Sequence, residues 1–134
     1  MLKISTKGRY GLRAMIELAQ APSGTPVLMA DIARAQGLSR KYLHALLVTL
    51  RNAGLVYSVR GAGGGYVLAR PPEAIRTREV LEALEGELAV NPCRDHGTPC
   101  SRSRRCSARR LWMEVNRAVT ETLDRFSLAD LAGR

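Results

Sequence analysis

Apolar residues recur every three or four positions through residues 5–20, where Tyr10, Ala14, Met15 and Leu18 share one helical face. Residues 21–26 hold two prolines and a glycine and read as a turn. A short helix is expected over 27–36, with Ile32 and Ala33 facing inward. Gly37-Leu38-Ser39 then makes a tight turn, and Ser39 is a good cap for the helix that follows. That helix covers residues 40–53. Leu43, Leu46, Leu47 and Leu50 form its apolar stripe, and Gly54 sits where a helix stop belongs.

Beyond Gly54 the period changes to two. Residues 55–59 and 66–69 read as strands around the glycine-rich turn 60–65, and Pro71-Pro72 ends the hairpin. Thr77 can cap a helix carrying Val80, Leu81 and Leu84 and closed by Gly86; its Glu79, Glu82 and Glu85 read as one solvated face. Residues 87–106 show no period and contain all three cysteines. A long helix returns over 107–126. Leu111, Val115, Val119 and Leu123 recur every four residues, with Trp112 and Phe126 beside the stripe. The stretch from Ser127 to Asp130 has capping-box spacing for one last turn.

The expected fold is mainly α with a small β-hairpin. Two short helices joined by a glycine-containing turn and followed by a hairpin describe a winged helix-turn-helix. The division expected is a DNA-binding unit over 1–86, a cysteine loop over 87–106, and a dimerisation helix with a final turn over 107–134. The second helix of the pair would enter the major groove. Its exposed side would present Ser39, Arg40, Lys41, Tyr42 and His44, while the leucines hold it to the core. Arg60 on the glycine-flanked wing suits the narrow, electronegative minor groove. The wing lacks the G-x-G-x-x-G pattern and the strand–loop–helix setting of a nucleotide-binding loop.

Charge strengthens this picture. The chain of 134 residues carries a formal net charge of +9, and 18 of its 21 basic residues are arginine. Arginine suits bidentate contact with phosphates and guanine edges. Residues 1–70 alone carry +8, residues 71–92 carry −3, and residues 93–110 carry +5. Such segregation points to nucleic acid or another polyanion, and together with the winged helix to double-stranded DNA. A second polyanion-binding surface is the alternative reading of the arginines in 93–110. Aromatic residues make up 4% of the chain, which argues against an aromatic-lined substrate pocket. No run approaches the ~20 apolar residues of a membrane span. The polar, basic start lacks the apolar core of a secretory signal, so a cytoplasmic protein is expected.

Cys93, Cys100 and Cys106 are spaced C-x6-C-x5-C. An odd count in a cytoplasmic chain argues against a disulfide framework. Thiolates gathered in one loop suit a soft metal or an iron–sulfur centre. The spacing is not the paired C-x2-C of zinc ribbons, and unligated thiols stay open on spacing alone. Arg94, Arg102, Arg104 and Arg105 would lower thiol pKa and offset thiolate charge. An enzyme is the least supported class. His96 is too close in sequence to Cys93 to imply a catalytic dyad, and no acidic pair stands out.

Several segments together carry a resemblance. They are Thr6-Lys7-Gly8-Arg9-Tyr10, Leu38-Ser39 with Tyr42-Leu43, Gly54-Leu55-Val56, the wing from Ser58 to Tyr66, the three cysteines and Leu111-Trp112. With these the chain resembles the bacterial iron–sulfur-cluster regulator family of winged-helix transcription factors, over nearly its whole length. The resemblance implies a [2Fe-2S] or [4Fe-4S] cluster on Cys93, Cys100 and Cys106. It also implies a homodimer joined through Leu111, Trp112, Val115 and Val119, binding a near-palindromic operator. Some members take a fourth ligand from a His three residues after the last Cys, where this chain has Arg109. Others use an acidic residue of the partner's first helix, where this chain has Arg9. His96 and Asp95 are the substitutes within the loop. The expected function is a homodimeric regulator, a repressor, sensing iron, redox state or nitric oxide. The alternative keeps the winged helix but gives the cysteines redox or zinc chemistry without a cluster.

Overall fold

A computed structural model describes residues 3–90, 100–102 and 104–133. Its helices are α1 (Thr6–Gln20), α2 (Met29–Gln36), α3 (Arg40–Asn52), α4 (Thr77–Glu85), α5 (Arg109–Arg125) and α6 (Leu128–Leu131). The strands are β1 (Val56–Val59) and β2 (Gly65–Leu68), and a 3-10 turn spans Pro72–Ala74. The fold is thus mainly helical with an antiparallel hairpin, as the change of period predicts. The stripes close one core: Met15 of α1, Ile32 of α2, Leu43, Leu46, Leu47 and Leu50 of α3, and Val80 of α4 are all fully buried. Burying each side chain of this size favours the fold by ~1.5–3 kcal/mol before entropy is counted.

Two helices start two residues later than the periodicity predicts. Helix α2 begins at Met29 rather than at residue 27, because Val27 belongs to the sheet. Its N–H and C=O each bond Tyr66 at 2.9 Å, adding a bridge beyond β2. Within the hairpin Val56 faces Leu68 and Val59 faces Gly65. Helix α5 begins at Arg109 rather than at residue 107. Thr77 lies inside α4 instead of capping it, since Arg76 occupies the cap position. The Thr77 hydroxyl donates instead to the Phe126 carbonyl at 2.8 Å.

The α1–α4 contact depends on two glycines. A Cβ at Gly11 would run into the Leu84 side chain, and one at Gly8 into the Glu85 carboxylate. Their absence lets the two helices close up. On the expected Glu79–Glu82–Glu85 face, Glu79 and Glu82 stay partly exposed but paired, and Glu85 is taken up by α1. Glu79 pairs with Arg70 and Glu82 with Arg78. Glu85 Oε1 accepts from Ser5 N at 2.9 Å, from the Ser5 hydroxyl at 2.5 Å and from Gly8 N at 3.0 Å. Ser5 itself makes no side-chain cap, so the start of α1 is capped by a residue 80 positions away. The chain then returns to the core: Leu128 of α6 is fully buried, and its N–H donates to the Ile75 carbonyl at 3.0 Å.

Candidate DNA-binding surface and thiol loop

The turn between α2 and α3 is set locally. Gly37 takes φ 65°, which an L side chain adopts only with strain, and Leu38 N donates back to Ala33 O at 2.9 Å. Ser39 then caps α3, its hydroxyl accepting from Tyr42 N at 3.1 Å. The four leucines point inward, so Arg40, Lys41, His44 and Ala45 are exposed on the opposite side. Ser39 is exposed as well. Tyr42 is half-buried, its ring edge-on to Tyr10 of α1 with centroids 6.3 Å apart.

Sequence reasoning did not find that aromatic contact or its surroundings. Arg9 and Arg13 lie over the Tyr10 ring at 5.9 and 5.1 Å. Arg13 also donates to the side chain of Gln36 at 2.5 Å and to its carbonyl at 3.2 Å, and the Gln36 amide reaches Glu17. The end of α2 and the first turn of α3 are therefore both pinned to α1. Two arginines four residues apart around a tyrosine were the available signal.

Arg60 is exposed at the start of the wing turn. Gly61 takes φ 106° and its carbonyl accepts from Gly64 N at 3.0 Å. The tip is thus a tight turn carrying one projecting guanidinium.

Cys100 and Cys106 are exposed free thiols. Both open on a concavity of about 1050 Å³ lined also by Arg102, Arg104 and Arg105. Cys93, Asp95 and His96 lie outside the described residues. Among the described residues, no group of three His, Cys, Asp or Glu side chains comes together as a metal site.

Helix α5 begins just past this loop. It is strongly two-sided, yet none of its residues is buried within one chain. Leu111 is 55% exposed, and Trp112, Val115 and Val119 are half-buried. Arg78 ties α5 to α4, donating to Glu82 at 2.8 Å and to Asp124 at 3.0 Å. These two hydrogen bonds raise the pKa of Arg78 above its ordinary value. Asn116 Oδ1 accepts from Val90 N at 2.7 Å and gives a second point of attachment.

A capped helix with a bare cationic face, a preceding helix locked beneath it and a hairpin with an arginine tip define a winged-helix DNA-binding transcriptional regulator. A family model, "Rrf2: Iron-dependent Transcriptional regulator", matches residues 4–134. The chain belongs to this Rrf2 family. It is 44% identical over 131 residues to the HTH-type transcriptional regulator CymR of Bacillus subtilis, a match covering 98% of this chain and 90% of that one. The solved structure of B. subtilis CymR, described as the global cysteine regulator, superposes with TM-score 0.81 at 45% identity, covering 99% and 98% of the two chains. That of T. potens IscR superposes with TM-score 0.76 at 42% identity, covering 97% and 85%. These likenesses place the chain among transcriptional regulators and not among enzymes. No helix of the described residues is long and apolar enough to cross a membrane.

Proposed function

We propose that the chain is a homodimeric cytoplasmic repressor. Its hold on a near-palindromic operator is set by an iron–sulfur cluster on Cys93, Cys100 and Cys106. The observation that carries this reading is the thiol loop: two thiols open on one guanidinium-lined concavity at the root of α5. Thiolates are the usual donors to iron–sulfur centres. Arginines lining the same concavity would offset the negative charge of cluster-bound thiolates. The described donors therefore fit such a group, with Cys93 as third ligand and Asp95 or His96 as candidates for the fourth. When bound, the cluster supplies a link between the thiolates that oxidation, nitric oxide or iron shortage can undo.

The chain's own residues would relay that change. The loop leads into α5, Arg78 joins α5 to α4, and Glu85 and Leu84 join α4 to α1, on which Tyr10 braces Tyr42. The apolar stripe of α5 would pack on its counterpart in the second copy, presenting two recognition helices to the two operator halves. Arg40, Lys41 and His44 would meet base edges and phosphates from α3, supported by Ser39 and Tyr42, with Arg60 in the minor groove. A coupling of ~1–3 kcal/mol would change operator affinity about 5–150-fold.

The test is anaerobic purification with iron and sulfide analysis, followed by promoter binding before and after cluster removal. Iron and sulfide with an affinity change of that size supports the reading. Iron-free protein, or affinity indifferent to the cluster, refutes the sensor. The likeness to the B. subtilis global cysteine regulator favours a second reading, a cluster-free regulator whose cysteines are redox-active or hold zinc. Colourless protein with stoichiometric zinc, or with thiols that oxidise reversibly and change DNA affinity, selects it.

A further inference from the structure

We propose that Arg102, Arg104 and Arg105 form a second phosphate-binding surface, which grips the backbone of the same duplex that α3 and the wing engage. The proposal rests on the duplex binding argued above and is independent of the cluster.

The observation is that three exposed arginines line one concavity. Arg34, Arg70, Arg78 and Arg110 each pair with a carboxylate. Arg102, Arg104 and Arg105 are exposed and have no carboxylate partner among the described residues. Nor do they serve the helix beside them. The first turn of α5 holds no acidic residue and opens with Arg109 and Arg110, at the positive end of the helix dipole. Cations there cost stability. Three exposed guanidiniums on one concavity, with no carboxylate partner among the described residues, call for an anion from outside.

The shape of the place selects a polymer over a small molecule. Its volume, about 1050 Å³, sits at the upper end for small-ligand sites, which are mostly apolar with a few polar groups. Cations and thiols dominate the lining instead. Guanidinium forks match phosphate oxygens bidentately. Because Cys100 and Cys106 flank these arginines in sequence, chemistry at the thiols would move phosphate contacts directly.

The test measures affinity for a mixed-sequence 40-base-pair duplex by fluorescence anisotropy, across about 50–200 mM salt. The metal-free full chain is used, alongside the combined Arg102→Gln, Arg104→Gln, Arg105→Gln variant. Each lost phosphate contact lowers the slope of log affinity against log salt by ~0.9. The variant's slope should fall by about 2.7, so wild type loses on the order of 40-fold more affinity than the variant over that range. A Cys100→Ser, Cys106→Ser protein should keep the wild-type slope. An unchanged slope in a triple variant with wild-type circular dichroism overturns the proposal. So does an equal loss of binding to poly-glutamate, which would mark a patch for acidic proteins. A negligible wild-type slope would instead sink the duplex reading of the whole head.

Discussion

Glu85 concentrates three interactions in one carboxylate oxygen, so its removal makes a sharp test. Glu85→Ala would strip acceptors from Ser5 N, the Ser5 hydroxyl and Gly8 N at once. Hydrogen bonds to charged groups contribute about 1.5–3 kcal/mol each, and loss of a helix N-cap costs ~0.5–2 kcal/mol. Glu85 is half-buried, so water would replace part of the loss. About 2 kcal/mol is the expected total, far below the simple sum. Glu85→Gln keeps an acceptor oxygen and gives up only the charge at the positive end of α1, an expected loss of ~0.5–1 kcal/mol. For a chain this size, 1 kcal/mol corresponds to about 4 °C in Tm. The Ala variant should therefore melt about 8 °C lower and the Gln variant about 2–4 °C lower, followed by circular dichroism at fixed protein concentration. If Gln proved as damaging as Ala, the charge would carry the whole effect and the retained acceptor oxygen none of it. If Ala cost under about 0.5 kcal/mol, the distant cap would contribute nothing.

Three further outcomes follow from the same geometry. Gly11→Ala gains ~1 kcal/mol of helix propensity but drives a methyl into Leu84, so urea denaturation should show a net loss of ~1–2 kcal/mol; a gain would mean that α4 yields freely. The Ser127 N–H, and then its hydroxyl, hold the Asp130 carboxyl below the ordinary aspartate range. Its stabilising effect is full above that range and fades as pH falls through it toward the folded-state pKa, so Asp130→Asn should flatten the acid limb of stability below about pH 4. Superimposable profiles would count against it. Val115→Glu, on the half-buried stripe of α5, should yield monomers in sedimentation and weaken duplex binding at least tenfold; a dimer unaffected by it would exclude this face as the interface.

Elements held by short-range pattern were legible in the chain itself. The leucine stripe of α3 is dictated by spacing, and its complement gave the exposed Arg40, Lys41 and His44 without reference to any fold. Ser39 and the box from Ser127 to Asp130 were readable because both partners of each cap lie three residues apart. What escaped depends on residues far apart in sequence. Val27 looks helical until Tyr66, 39 positions on, claims its backbone. Glu85 is indistinguishable from a solvated glutamate until α1 is laid against α4. The Tyr10–Tyr42 contact needs the angle between two helices, which periodicity does not supply. The thiol loop has no period, and nothing in its spacing dictates a backbone path.

The buried position of Leu128 has a consequence for synthesis. The core shared by α1, α3 and α4 is incomplete until this leucine arrives, 43 residues after Glu85. At ~5–20 residues per second a ribosome needs about 2–9 s to cover that distance. Throughout that interval the nascent reading head has an open apolar seam beside Ile75. Chaperones and sister chains on the same message would meet it then, before the last short helix seals it.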